Sequence, residues 1–376
     1  MKTLRNLGAA LFCVVLCISF SACSDEDSNS IAKTIHVETA GTLSAYIPTG
    51  TENQITDLTL SGYINGKDVE TIKMMRNLIR ADFTDLHIVG GNNNHAHDTQ
   101  DDIFPTYCLK GFSHLIEIKL PNSIKEIGEC ALLGCSRLAS IEIPEGVTKI
   151  GANAFLRCDS LYSIDIPNSV TEIGSSAFAD CDKLVSVNLG SSLTSLGDYA
   201  FSGCEHLISI DFPDSVTMIG DFAFDGCSML TSFNMPDGIT RIGSNTFAEC
   251  TSLDYINIPD GVTEIGSFAF YNCKSLVSIA IPNSVTRIGW EAFSGCERLA
   301  SVIIPNNITK IEQGAFANCP SIKEIHVKSS TPPQIDSSVF STYDYIILYV
   351  PIGSKEAYMQ HGIWGMFGKF GNIVEE

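Results

Sequence analysis

A cysteine recurs every 23 residues from Cys135 to Cys319, through Cys158, Cys181, Cys204, Cys227, Cys250, Cys273 and Cys296, and nothing else in the chain constrains its fold as tightly. A fixed period of this length means a stack of small units, each unable to bury its own apolar face without the next. Phenylalanine keeps the same step three residues earlier, at Phe155, Phe178, Phe201, Phe224, Phe247, Phe270, Phe293 and Phe316. Ile127, Ile150, Ile173, Leu196, Ile219, Ile242, Ile265, Ile288 and Ile311 keep it too, all but the last followed by Gly. The unit is LxxIxIPxxVxxIGxxAFxxCxx.

In the unit that starts at Leu161, Ile164, Asp165 and Ile166 alternate apolar and polar, the period of a half-buried strand. Pro167 ends it, and a turn pair follows, Asn168-Ser169 here and Asp237-Gly238 elsewhere. A second short extended piece, Val170 to Ile173, leads to Gly174, where the chain can reverse. The AFxxC stretch is expected to be a helical turn that puts Phe178 and Cys181 on one side. Stacked copies would pair their strands in parallel about 4.8 Å apart. The expected fold is therefore an α/β repeat, a leucine-rich-repeat solenoid of 23-residue repeats with a parallel β-sheet on one face, capped at both ends. The pattern resembles the BspA-like class of leucine-rich repeats, bacterial surface lipoproteins of the Bacteroides type. The resemblance spans nearly the whole mature chain and implies attachment to host matrix proteins, host cells or other bacteria.

The register also orders the rest of the chain. Ile55, Leu58 and Leu60 match Leu78, Ala81 and Phe83 at a step of 23, whereas Leu78 and Leu115 are separated by 14 residues more than that. Thirteen rungs result, the last with Tyr345, Leu348 and Val350 in its strand positions. The expected division is a signal peptide at 1–22, an acidic linker at 23–33 and an N-terminal cap of degenerate repeats at 34–89. An inserted loop at 90–103, the array at 104–328 and a C-terminal cap at 329–376 complete it.

Lys2 and Arg5 precede an apolar run from Leu7 to Phe20, then Ser21-Ala22-Cys23, which reads as a secretion signal too short to span a membrane comfortably. The segment resembles a bacterial lipoprotein signal, which implies lipidation at Cys23, and Ser24-Asp25-Glu26-Asp27 resembles an acidic signal for export to the outer face of the outer membrane. A surface-exposed outer-membrane lipoprotein is the expectation, held to the membrane through its lipid anchor only. The formal net charge of -20 repels phosphate backbones, and no basic stripe offsets it, so nucleic acid is a poor partner.

The cysteine row does not converge as metal ligands must, and its places are taken by Phe112 and Met75 in earlier rungs, so buried free thiols are expected and no metal or cofactor. His95, His97, Asp98, Asp101 and Asp102 cluster in the inserted loop, where solvated polar residues are the ordinary reading. No GxSxG, HExxH, GxxxxGK or GxGxxG motif points to catalysis, and an enzyme is not expected. Specificity must then lie in what varies between rungs. In the LxxIxI strand the outward residues form a near-uniform serine row, broken by Tyr255, and a second row of Glu142, Asp165, Asn188, Asp211, Asn234, Asn257, Ala280, Ile303 and His326. Glu142, Asp165, Asn188, Asp211, Asn234, Tyr255 and Asn257 are the candidate ligand-binding residues. The expected partner is a host or microbial protein, bound by a monomer; the alternative is a glycan, for a lipoprotein of a polysaccharide-uptake system.

Overall fold

A computed structural model describes residues 31–91 and 99–376. The signal segment, Cys23 and the loop residues His95, His97 and Asp98 lie outside these described residues.

Each 23-residue unit makes one coil with three faces. On the first, the LxxIxI strands pair in parallel one full repeat apart, with Ser186 opposite Ser209, Val187 opposite Ile210 and Asn188 opposite Asp211. Ile164, Val187 and Ile210 point into the core while the residues on either side face out, as a period of two requires. After the proline, Val170 N–H closes the turn on the Pro167 carbonyl at 3.1 Å. The second face is another parallel ladder made by the pair before each glycine: Lys149, Glu172, Ser195 and Met218 succeed one another, with Ile150, Ile173, Leu196 and Ile219 beneath. The glycine that follows is forced by proximity, because a Cβ on Gly197 would stand 2.5 Å from the Ser175 nitrogen.

The third face departs from the helical expectation. The AFxxC stretch consists of turns, and two residues per coil adopt left-handed backbone, such as Ser176 (φ 54°) and Asp180 (φ 53°). Those reversals aim alternate N–H groups at the next coil instead of up a helix. Ser176, Phe178 and Asp180 donate to the carbonyls of Asp198, Ala200 and Ser202, each at 2.8 Å, while Ala177 and Ala179 close local turns on Gly174 and Ser176. All three faces are thus cross-linked between coils, and the described residues hold only three short α-helices, all outside the repeats.

The core is a set of ladders. The phenylalanine rings stack from Phe155 to Phe340, with neighbouring centroids 5.1–5.8 Å apart and nearly parallel. Beside them run the cysteines, free thiols without exception among the described residues.

Both ends depart from the repeat. Strand Ile31–Val37 starts the N-terminal sheet on strand Ile55–Ile64, and helix Gly66–Lys73 follows, capped by Asn65 and Asp68. Arg80 pairs with Glu117 across the insertion. Near the other end Lys310 pairs with Gln334, one residue beyond the repeat, while Ile325 pairs with Leu348 in the ordinary step. The extra residue is absorbed before the last strand, which corrects one expectation: Tyr345 is 74% exposed, and Ile346 takes the buried place assigned to it. A pocket of about 450 Å³ lined by Phe316, Cys319, Phe340, Tyr345 and Ile346 opens at this irregular coil. Strand Ile373–Glu375 then adds a further rung on strand Ile347–Val350.

Candidate functional site

The two sheet faces differ in what their charges are doing. On the second face Lys149 pairs with Glu172 at 3.2 Å and Arg241 with Asp221 at 3.2 Å, while Arg287 meets both Glu264 and Glu312. The two guanidinium and ammonium partners hold the Glu312 carboxyl below the usual carboxylate range against the opposing effect of its burial. The N-terminal part of the first face is also paired: Arg80 lies 3.1 Å from Asp57, and Lys119 donates to Asp82 at 2.8 Å, which lowers the aspartate's pKa. At the C-terminal part, Glu376 accepts from Lys328 at 2.6 Å and lies 2.9 Å from His326, whose ring stacks on Tyr349.

Between these ends the first face is open. Glu142, Asp165, Asn188, Asp211, Asn234, Tyr255 and Asn257 all point outward and are exposed, and Glu142, Asp165 and Asp211 make no ion pair with another described residue. Glu142, Asp165 and Asn188 are brought together in a groove of about 630 Å³, with Ser140, Glu145, Asn168 and Gly190 also in its wall. Asp211, Asn234, Tyr255 and Asn257 continue the face beyond the groove.

Two local features make that groove. The strand around Ile141 is reduced to a single bridge between Lys119 and Glu142, so the ladder is interrupted there. One repeat also has Leu189-Gly190 in place of Ile-Pro, and the chain passes so close to its neighbour that a Cβ on Gly190 would be 2.2 Å from the Pro167 carbonyl oxygen.

A third outward row escaped the reading of the strand as two outward positions. The residue after each leucine also faces out, giving Tyr162, Val185 and Ile208 in neighbouring coils, with Tyr162 60% exposed. Val185 N–H bonds to the Tyr162 carbonyl at 2.9 Å and Ile208 N–H to the Val185 carbonyl at 3.3 Å, so the row is continuous. The signal was available in the aligned repeats, where this column is apolar over five consecutive units, Ile116, Ala139, Tyr162, Val185 and Ile208. The surface is therefore an apolar stripe, a serine row and an acidic row side by side.

In the inserted loop, Asp101 accepts from Gly90 N–H at 2.6 Å and so closes the base of the loop. Among the described residues no cluster of three or more metal-ligating side chains occurs.

The family model for the BspA type leucine rich repeat region matches in six copies, over residues 102–231 and 217–346. Among solved structures, the chain is similar to a leucine-rich repeat protein from Bacteroides ovatus, 24% identical over 80% of this chain and 84% of that one, with a TM-score of 0.48. It is also similar to a leucine rich cell surface protein from Faecalibacterium prausnitzii, 25% identical over 79% and 87% of the two chains, TM-score 0.38. The pneumococcal vaccine antigen PcpA is 22% identical over 70% and 79%, TM-score 0.41. No curated protein matches the chain. With the family model covering most of the coils, the chain belongs to the BspA-type leucine-rich-repeat family.

Proposed function

We propose that this protein is a surface-displayed lipoprotein, anchored through Cys23, that acts as a protein-binding module and not as an enzyme. It would hold a host or microbial protein against the open stretch of its first sheet face. The observation that carries the reading is the contrast in charge pairing. Glu172 and Asp221 on the second face and Asp57, Asp82 and Glu376 at the ends of the first are paired within the chain, whereas Glu142, Asp165 and Asp211 are left for a partner, beside an apolar stripe that a partner would desolvate. An interface core of apolar side chains rimmed by uncompensated charge is what a protein surface of complementary sign recognises. The rigid sheet would lose little freedom on binding.

The test is a pull-down of host and microbial surface proteins by the chain lacking residues 1–23, followed by affinity measurements on the captured ligand. Replacing Glu142, Asp165 and Asp211 together by Lys is expected to weaken that ligand by about tenfold or more, through lost attraction and a slower encounter, with the thermal midpoint nearly unaltered. The matched triple at Lys149, Glu172 and Arg241 on the second face should leave affinity unchanged. The reverse result would move the binding surface to the other face. In cells, Cys23→Ser should abolish fatty-acid labelling; a labelled variant would refute the anchor.

A further inference from the structure

The third face carries a row of rings that packing does not require. The residue two before each ladder phenylalanine stands in left-handed backbone throughout the array: Asn153 (φ 56°), Ser176 (54°), Tyr199 (58°), Phe222 (60°), Asn245 (55°) and Phe268 (57°). Asparagine reaches that conformation readily, while a bulky ring-bearing residue there is a true outlier. Asn153 and Asn245 show that the same turn accepts an unstrained residue, so Tyr199, Phe222 and Phe268 keep strained backbone without need.

Nor are these rings core. Phe201, Phe224 and Phe270 of the same coils are fully buried, whereas Tyr199 is 41% exposed and Phe222 and Phe268 are half-buried. Tyr199 and Phe222 stack 4.5 Å apart at 9°. Phe268 donates its N–H to the Trp290 carbonyl at 2.7 Å, which sets Trp290, 55% exposed, in the next coil along. In the coil of Trp290 the left-handed place is held by Glu291 (φ 48°) and Trp290 stands one residue before it, so the strip from Tyr199 to Trp290 crosses four gaps of about 4.8 Å, roughly 19 Å, with Asn245 between its ring pairs. Bulky rings kept in left-handed backbone while standing partly in solvent are the observation from which a functional demand is inferred.

The neighbouring groups indicate what kind of ligand fits. Asp198 Oδ1 accepts from Asp221 N–H at 2.8 Å, and Asp221 Oδ1 accepts from Ser244 N–H at 2.9 Å and pairs with Arg241. Each carboxylate thus has one oxygen engaged within the chain and a second left to accept from a ligand. The arginines bordering the strip are committed, Arg241 to Asp221 and Arg287 to Glu264 and Glu312. An anionic polymer would meet carboxylates with no cation to receive it. A neutral sugar chain brings C–H surfaces for the rings and hydroxyl donors for the carboxylates and the Asn245 amide. We propose that this row is a binding site for a neutral glycan, on a different face from the protein-binding sheet and independent of it.

The chain lacking residues 1–23 would be titrated with cellohexaose and with mannohexaose while tryptophan fluorescence is followed. Trp364 is wholly buried, so the signal reports Trp290. A saturable shift is expected with at least one of the two sugars. The variant combining Tyr199→Asn, Phe222→Asn and Phe268→Asn should bind that sugar about tenfold more weakly or worse. The stack of Tyr199 on Phe222 is lost with the strain of the left-handed turns, so affinity is compared at a temperature where circular dichroism shows both proteins folded. The proposal is overturned by absence of a saturable shift with both sugars or by unchanged affinity in the folded triple variant. Preference for polygalacturonate or a hexa-arginine peptide over the neutral sugars would overturn it as well.

Discussion

Each ladder cysteine fills a small apolar place and satisfies a carbonyl at the same time. Cys227 Sγ donates to the Phe201 carbonyl at 3.2 Å, and the same relation recurs from Cys135 to Leu109 through Cys319 to Phe293. Alanine would leave out the donor, and serine would bury a more polar group in a narrower shape. Cys227→Ser is expected to cost about 1–3 kcal/mol, read from denaturant midpoints. Burial also pushes the thiols up, Cys135 to about 12 and Cys158, Cys181, Cys204 and Cys250 well above their ordinary 9.0. A thiol whose folded pKa is raised stays neutral in the fold but ionises once unfolded. Its stabilising effect is therefore complete below about 9 and disappears as pH climbs through the folded value. The thermal midpoint should fall steadily above pH 9, and native thiols should label slowly at neutral pH yet completely on denaturation without reductant. A denatured chain that needs reductant before it labels would mean disulfides.

At the scale of the coil, two kinds of glycine do different work. Gly197 lies where the second strand turns away, with Ser175 N 2.5 Å and Gly174 C 2.7 Å from where a Cβ would sit. Gly226, at φ 75°, is a left-handed corner of the third face with its nearest neighbour atoms at 3.7 Å. Asn272 and Asn318 occupy that corner in other coils, both at φ 56°. Gly197→Ala should therefore destabilise by about 1–3 kcal/mol through overpacking, whereas Gly226→Asn should stay within about 0.5 kcal/mol. Equal effects in urea melts would contradict this division. The same corners explain the mistaken helical turn. An apolar pair at a spacing of three suits a helix, and equally a chain of turns whose left-handed residues send alternate N–H groups to the next coil. Only the partner of those N–H groups separates the two.

At the scale of the whole molecule, a stack is a sum of neighbour contacts, and its ends need covering. The C-terminal segment supplies that cover with Trp364, which is fully buried and donates to the Pro333 carbonyl at 2.8 Å. Tyr358 donates to the Ser329 carbonyl at 2.8 Å, and Phe340 is flanked by Trp364 and Phe367. Ending the chain before residue 345 would bare the Phe316 and Phe340 end of the ring stack. Self-association in light scattering is expected, with faster amide exchange confined to the last coils. A truncated chain that stays monomeric and as stable as the full one would disprove the cap.

The period alone determined the solenoid, its register, the inward place of Leu161, Ile164, Phe178 and Cys181, and the outward row from Glu142 to Asn257. A repeat that cannot bury its own apolar face has only one way to do so, and the phase of the pattern says which side chains go in. The tertiary structure decided what depends on neighbours one coil away, because those contacts join backbone and side-chain groups 23 or more residues apart, whose pairing no local pattern in the sequence shows. They are the hydrogen bonds of the third face, the shift that buries Ile346 and exposes Tyr345, the close approach at Gly190 that shapes the groove, and the pairing of charges that leaves Glu142, Asp165 and Asp211 open.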